Sequence, residues 1–121
     1  MPPLRVYIGW DSREDIAFQV ARQSLIRNSA IALEVVPIKI NELHKTGLYT
    51  RKVDPLASTE FTYSRFLTPH IAGFNGWALF FDCDFLFFGD VKDLIQYQDP
   101  KYAICCVKHD YLPKDSIKMD G

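Results

Sequence analysis

One stretch constrains this chain more than any other: Trp77-Ala-Leu-Phe-Phe-Asp82-Cys-Asp84-Phe-Leu-Phe-Phe-Gly89. Trp77 to Phe81 is an unbroken apolar run bounded upstream by Gly76, the pattern of a strand buried on both faces in a parallel sheet. The run ends in two acids. Alternate side chains of an extended backbone share a side, so Asp82 and Asp84 project together while Cys83 points the other way. Their Cα atoms lie roughly 6.6 Å apart in such a geometry, within reach of one ion or one phosphate after a slight turn.

Two carboxylates about 4 Å apart at an effective dielectric of about 20 repel by roughly 4 kcal/mol, a large share of a small domain's stability. A positive partner is therefore expected between them. With no Cys or His cluster nearby to offer softer ligands, the expected partner is a hard divalent cation, Mg²⁺ or Mn²⁺. The plainer reading of an Asp-x-Asp is a solvated acidic turn. Position argues against it here, because ligands of open α/β sheets bind beyond the carboxyl ends of the strands.

The chain's 121 residues form one domain, residues 1–121, and can bury about two-thirds of the unfolded surface. Hydrophobic residues at 48% suit a packed globular domain and not a disordered chain, and the net charge of −1 without a basic run gives no reason to invoke a nucleic-acid partner. No apolar run approaches membrane-spanning length and no signal peptide precedes the first strand. Cys83, Cys105 and Cys106 sit in strand-like contexts without metal-ligand spacing, which reads as buried reduced thiols in a cytoplasmic protein. The end at Lys118-Met-Asp-Gly121 lacks a closing element and reads as the limit of an N-terminal portion.

Leu4–Ile8 predicts a strand reaching Gly9, and residues 15–28 predict a helix with an apolar stripe at Ala17, Val20, Ala21 and Leu25. Ser12 and Asp15 are spaced as a capping box for it. Gly9, Trp10 and Asp11 remain at the mouth of the first strand, where nucleotides commonly dock in such folds. A second strand runs through Leu33–Ile40, with Pro37 marking an edge. Residues 41–57 read as a long loop with one helical turn. Its Lys45, Tyr49, Arg51 and Lys52 read either as anion contacts or as a solvated basic surface.

From Ser58 to Ile71 the periodicity predicts a helix burying Tyr63, Phe66, Leu67, His70 and Ile71. Arg65 then lies about 160° from that face, either in solvent or on a second, ligand-facing surface with Phe61 and Thr68. Asp90 is the expected N-cap of a short helix over Val91–Tyr97. Tyr102–Val107 predicts a further buried strand, and His109 beyond it is a lesser metal-ligand candidate.

Three blocks, Ile8-Gly9-Trp10-Asp11, Thr62-Tyr63-Ser64-Arg65-Phe66-Leu67 and Ala78-Leu79-Phe80-Phe81-Asp82-Cys83-Asp84-Phe85-Leu86-Phe87-Phe88-Gly89-Asp90, together resemble the GT-A-type glycosyltransferases, in particular glycosyltransferase family eight. The resemblance covers residues 4 to 107. It implies an α/β, Rossmann-like, mostly parallel sheet flanked by helices, here as the N-terminal portion. It further implies that Asp82 and Asp84 hold Mn²⁺ or Mg²⁺ against the diphosphate of a nucleotide-sugar, typically a UDP-sugar. By the same resemblance Gly9, Trp10 and Asp11 contact uracil and ribose, and Arg65 approaches the donor sugar or its phosphates as the catalytic residue. The acceptor would be a glycan, lipid or protein.

Two rivals stand beside this reading. A haloacid-dehalogenase-like phosphatase also places Asp-x-Asp after an apolar strand, but expects Thr or Val where this chain has Leu86. A noncatalytic nucleotide or nucleotide-sugar binding module, paired with itself or with another portion, would need the same binding residues without turnover.

Overall fold

A computed structural model of the chain describes residues 2–112. Three strands form a parallel sheet in the order β2-β1-β3: β1 is Leu4–Gly9, β2 is Leu33–Ile38 and β3 is Ala78–Phe81. β1 runs between the other two, with Leu4 opposite Leu33 and Gly9 opposite Ile38 on one side, and Arg5 opposite Ala78 and Ile8 opposite Phe81 on the other. Parallel neighbours require crossovers. The helix α1, Asp15–Asn28, supplies the one between β1 and β2.

Because β1 is central and covered on both sides, its Val6, Tyr7 and Ile8 are buried. Val6 and Ile8 face α1, where Phe18, Ala21 and Leu25 complete one core cluster, while Tyr7 meets Ile38 and Ala72 on the opposite face. The predicted α1 boundaries hold, but its buried side differs: Val20 is exposed, and Phe18 and Ser24 are inside. Ser24 tolerates burial because its hydroxyl donates to Ala21 O at 2.9 Å and accepts from Phe87 N at 3.0 Å. No capping box forms. Glu14 holds the N-cap position without a side-chain cap bond, and Ser12 turns instead toward Glu60.

Pro37 lies in an edge strand, as expected. The single helical turn in the long loop is α2, Ile40–Lys45. The segment predicted as one helix from Ser58 to Ile71 instead passes through turns into a 3-10 helix, Ser64–Leu67, and a short α3, Thr68–Ile71. A 3-10 helix has 3.0 residues per turn, so the 3.6-residue stripe misassigns its face. Phe61, Ser64 and Thr68 are buried, whereas Phe66 and His70 are exposed. β3 is half-buried along its length, not buried on both faces, because only β1 flanks it among the described residues.

Asp90 caps the last element as predicted, although that element, Val91–Tyr97, is a 3-10 helix. Its carboxylate accepts from Lys92 N at 2.9 Å and from Ala30 N at 2.8 Å, and these bonds lower its pKa. Tyr102–Val107 forms no strand, and Cys105 and Cys106 are exposed, so only Cys83 fits the expectation of a buried thiol. The reading of Lys118–Gly121 as a limit lies outside the described residues.

Gly9 closes β1 where Phe61 crosses it. A Cβ at Gly9 would sit 2.4 Å from Phe61 Cδ2, and the Phe61 ring is buried and cannot swing aside. Gly9→Ala is therefore expected to lose about 1–3 kcal/mol by overpacking. Urea unfolding of Gly9→Ala, Phe61→Leu and the double variant checks this: the double variant should lose less than the sum of the singles, since the smaller side chain relieves the clash.

Candidate functional site at the carboxyl ends of the strands

The three strands point their carboxyl ends the same way, so Gly9-Trp10-Asp11, Ile38-Lys39 and Phe81-Asp82 meet at one edge of the sheet. The segment carrying Arg65 crosses this edge. Arg65 Nη1 lies 3.2 Å from Asp82 Oδ1, and the two side chains are 32% and 40% exposed. The guanidinium also lies 5.2 Å from the Phe61 ring centre and 5.6 Å from that of Phe80, and its Nε donates to Phe61 O at 3.2 Å. Of the two positions open to Arg65 from periodicity, the structure takes the second surface with Phe61.

This ion pair changes the electrostatic argument. Arg65 supplies Asp82 with a positive partner from within the protein. An exposed pair of this kind contributes about 0–1 kcal/mol to folding, so stability is not a sufficient reason for it. Asp82 follows β3 directly, but Cys83 and Asp84 form a turn and not the extended backbone from which alternation was expected; Cys83 is buried and Asp84 exposed. Burial first, then the nearby Glu14 and Asp84 carboxylates, push the Cys83 thiol up to about 11. It stays protonated at neutral pH, with its Sγ 3.8 Å from Glu14 Oε2.

The first-strand loop is organised by Asp11, which is 2% exposed. Oδ1 accepts from Arg13 N and Nε, both at 2.9 Å, and Oδ2 accepts from Arg13 Nη2 at 2.7 Å and Glu60 N at 3.1 Å. The Arg13 guanidinium, ahead of the backbone donors, holds the Asp11 carboxyl well below the usual carboxylate range. Arg13 also donates to Ser58 O at 3.2 Å, and Glu60 Oε2 accepts from Ser12 N at 2.8 Å and Ser12 Oγ at 2.6 Å. These bonds clamp the loop after β1 to residues 58–60. Phe61 and Arg65 follow from that clamp.

Of the predicted uracil and ribose contacts, Gly9 is therefore filled by Phe61, and the oxygens of Asp11 are committed to protein donors. Trp10 remains half-buried at the edge. Its Nε1 donates to Asp15 Oδ1 at 2.9 Å, and Lys39 Nζ stands 4.7 Å over its ring. Lys39 escaped the sequence reading because it looks like one of many surface lysines. Its place at the end of β2, beside Trp10, is visible only once the strands are aligned. Glu60 was missed for the same reason.

Of the basic-loop candidates, Arg51 stacks 3.8 Å from the Tyr63 ring, and the Tyr63 hydroxyl donates to Asp54 Oδ2 at 2.9 Å. Tyr49 is buried, and His109 is exposed in irregular chain. Ser64 Oγ is fully buried with no hydrogen-bond partner among the described residues. No group of three or more His, Cys, Asp or Glu side chains there is arranged to hold a metal. No described helix is long and apolar enough to cross a membrane.

No family model matches the chain, and no solved structure matches it. It is similar to Protein CDI of Arabidopsis thaliana, with 52% identity over 119 residues that make up 98% of this chain and 46% of that protein. The chain thus spans a little under half the length of this curated relative.

Proposed function

We propose that the chain is the donor-binding portion of a metal-dependent glycosyltransferase with a GT-A-type sheet, taking a nucleotide-sugar, UDP-linked, at the carboxyl ends of its strands. The observation that carries this reading is the meeting of Arg65 with Asp82 at that edge. A cation beside an anion, weakly coupled and half in water, matches the two halves of a metal diphosphate. Asp82 and Asp84 would hold the metal, and Arg65 would turn to the phosphate oxygens as Asp82 is taken up.

The residues fit such an ion. Mg²⁺ is commonly held by one or two carboxylates, with substrate phosphates and water filling the remaining positions. Two acids beyond the end of β3, Asp82 half-exposed and Asp84 exposed, meet that requirement, and the Cys83 between them is buried. When bound, Mg²⁺ or Mn²⁺ supplies Lewis-acid stabilisation of the departing diphosphate. Arg65 would add charge-assisted hydrogen bonds to the same oxygens, its guanidinium lying 5.2 Å and 5.6 Å from the Phe61 and Phe80 ring centres.

The noncatalytic module is the second reading, favoured by the lack of a third metal-ligating side chain among the described residues. Calorimetry of UDP with and without Mn²⁺, followed by an assay for UDP release from a UDP-sugar, separates the two. Metal-dependent binding with release supports the transferase. Binding without release supports the module, and no metal-dependent binding overturns both.

A further inference from the structure

The two edges of the sheet are built differently. β2 carries Pro37, which removes a backbone donor, and the exposed Glu34, both devices that discourage another strand from adding. β3 has neither. Its sequence is Ala-Leu-Phe-Phe, without charge, proline or bulge, and its only strand partner among the described residues is β1. No backbone hydrogen bond from Ala78–Phe81 reaches any other described segment. Apolar surface continues past its end: the Phe85 ring lies 5.5 Å from that of Phe81, and Leu86 and Phe88 are exposed, Phe88 at 86%.

An uncharged, unprotected strand edge with exposed large apolar side chains beyond it is what a folded protein ordinarily covers. We infer that the outer edge of β3 is a strand-docking site, and that its occupant is a β-strand from polypeptide homologous to the unmatched part of the Arabidopsis relative. The lengths argue for this occupant. At 52% identity the relative carries the same segment, yet the segment is only 46% of it, so at least as much further polypeptide accompanies this sheet there. Docking along β3 would use its free backbone groups for a fourth strand. The inference does not depend on the transferase reading.

Hydrogen exchange resolved at single amides tests it on three samples. They are the full chain alone, the chain mixed with the unmatched portion of the Arabidopsis protein, and a chimera in which this chain replaces the matched segment of that protein. The expected result is at least tenfold slower exchange at alternate β3 amides in the mixture or the chimera, relative to the chain alone, with β2 edge amides unchanged. Sedimentation of the chain alone should show a monomer. Unaltered β3 exchange in both the mixture and the chimera overturns the inference. So does a dimer of the chain alone with β3 already protected, which would make a second copy the occupant.

Discussion

Asp82→Ala and Asp84→Ala should each weaken Mn²⁺-dependent UDP binding by about a hundredfold or more and leave thermal stability nearly unchanged. The separation of the two effects follows from where the side chains sit. Asp84 is exposed, and Asp82 makes only a half-exposed ion pair of about 0–1 kcal/mol, so neither truncation opens the core. A two-carboxylate ion site, by contrast, loses half its protein ligands, and about 2.7 kcal/mol of lost interaction corresponds to a hundredfold change in affinity. Arg65→Met should weaken UDP binding even where metal is saturating, since it removes the cation facing the phosphates and keeps much of the packing on Phe61 and Phe80. Titration calorimetry with paired melting curves reads both quantities. Full metal-dependent affinity in both aspartate variants would reject the assignment.

Replacing Asp11 should have the opposite profile. Asp11→Ala is expected to lose about 2–4 kcal/mol of stability, because one buried carboxylate joins the Arg13 side chain, the loop backbone and Glu60 N. Its pH dependence has a definite sign. The folded carboxyl is depressed below its ordinary value of 3.8, so its contribution is complete above about pH 4 and is lost as pH falls toward the lower folded value. Asp54 and Asp90, both lowered chiefly by backbone donors, act in the same direction. Wild-type stability should therefore drop steeply below pH 4, and Asp11→Asn should show a shallower drop in urea unfolding followed from pH 2 to 7. An Asp11→Asn slope equal to wild type would mean that the clamp does not couple to folding. A secondary loss of UDP affinity in this variant, with the Arg65–Asp82 pair disturbed, is the mark of a residue that positions the site through residues 58–65.

Much of this architecture was legible in local patterns. Leu4–Gly9 and residues 15–28 announce themselves by period, Pro37 marks an edge, and Asp90 caps the turn it precedes, because each depends on neighbours a few residues apart. The apolar run before Asp82 marks β3, but the turn at Cys83 and Asp84 replaces the strand alternation expected of them. Tyr102–Val107 shows the limit of that logic: an apolar run has the composition of a strand, but pairing needs a partner edge, and none reaches it among the described residues.

What the amino-acid order determined by itself was the first two strands, the helix between them and the placing of Asp82 directly after a third strand, since these are consequences of backbone geometry over short distances. Tertiary structure alone decided that Arg65 would answer Asp82, that Asp11 would be sealed inside a clamp with Arg13 and Glu60, and that Gly9 would be needed for Phe61. These contacts join residues up to 52 positions apart, and nothing local encodes which strand ends will share an edge. The 3-10 winding of Ser64–Leu67 made the same point from the other side: tertiary packing reset the helical period, and with it the face on which Arg65 lies.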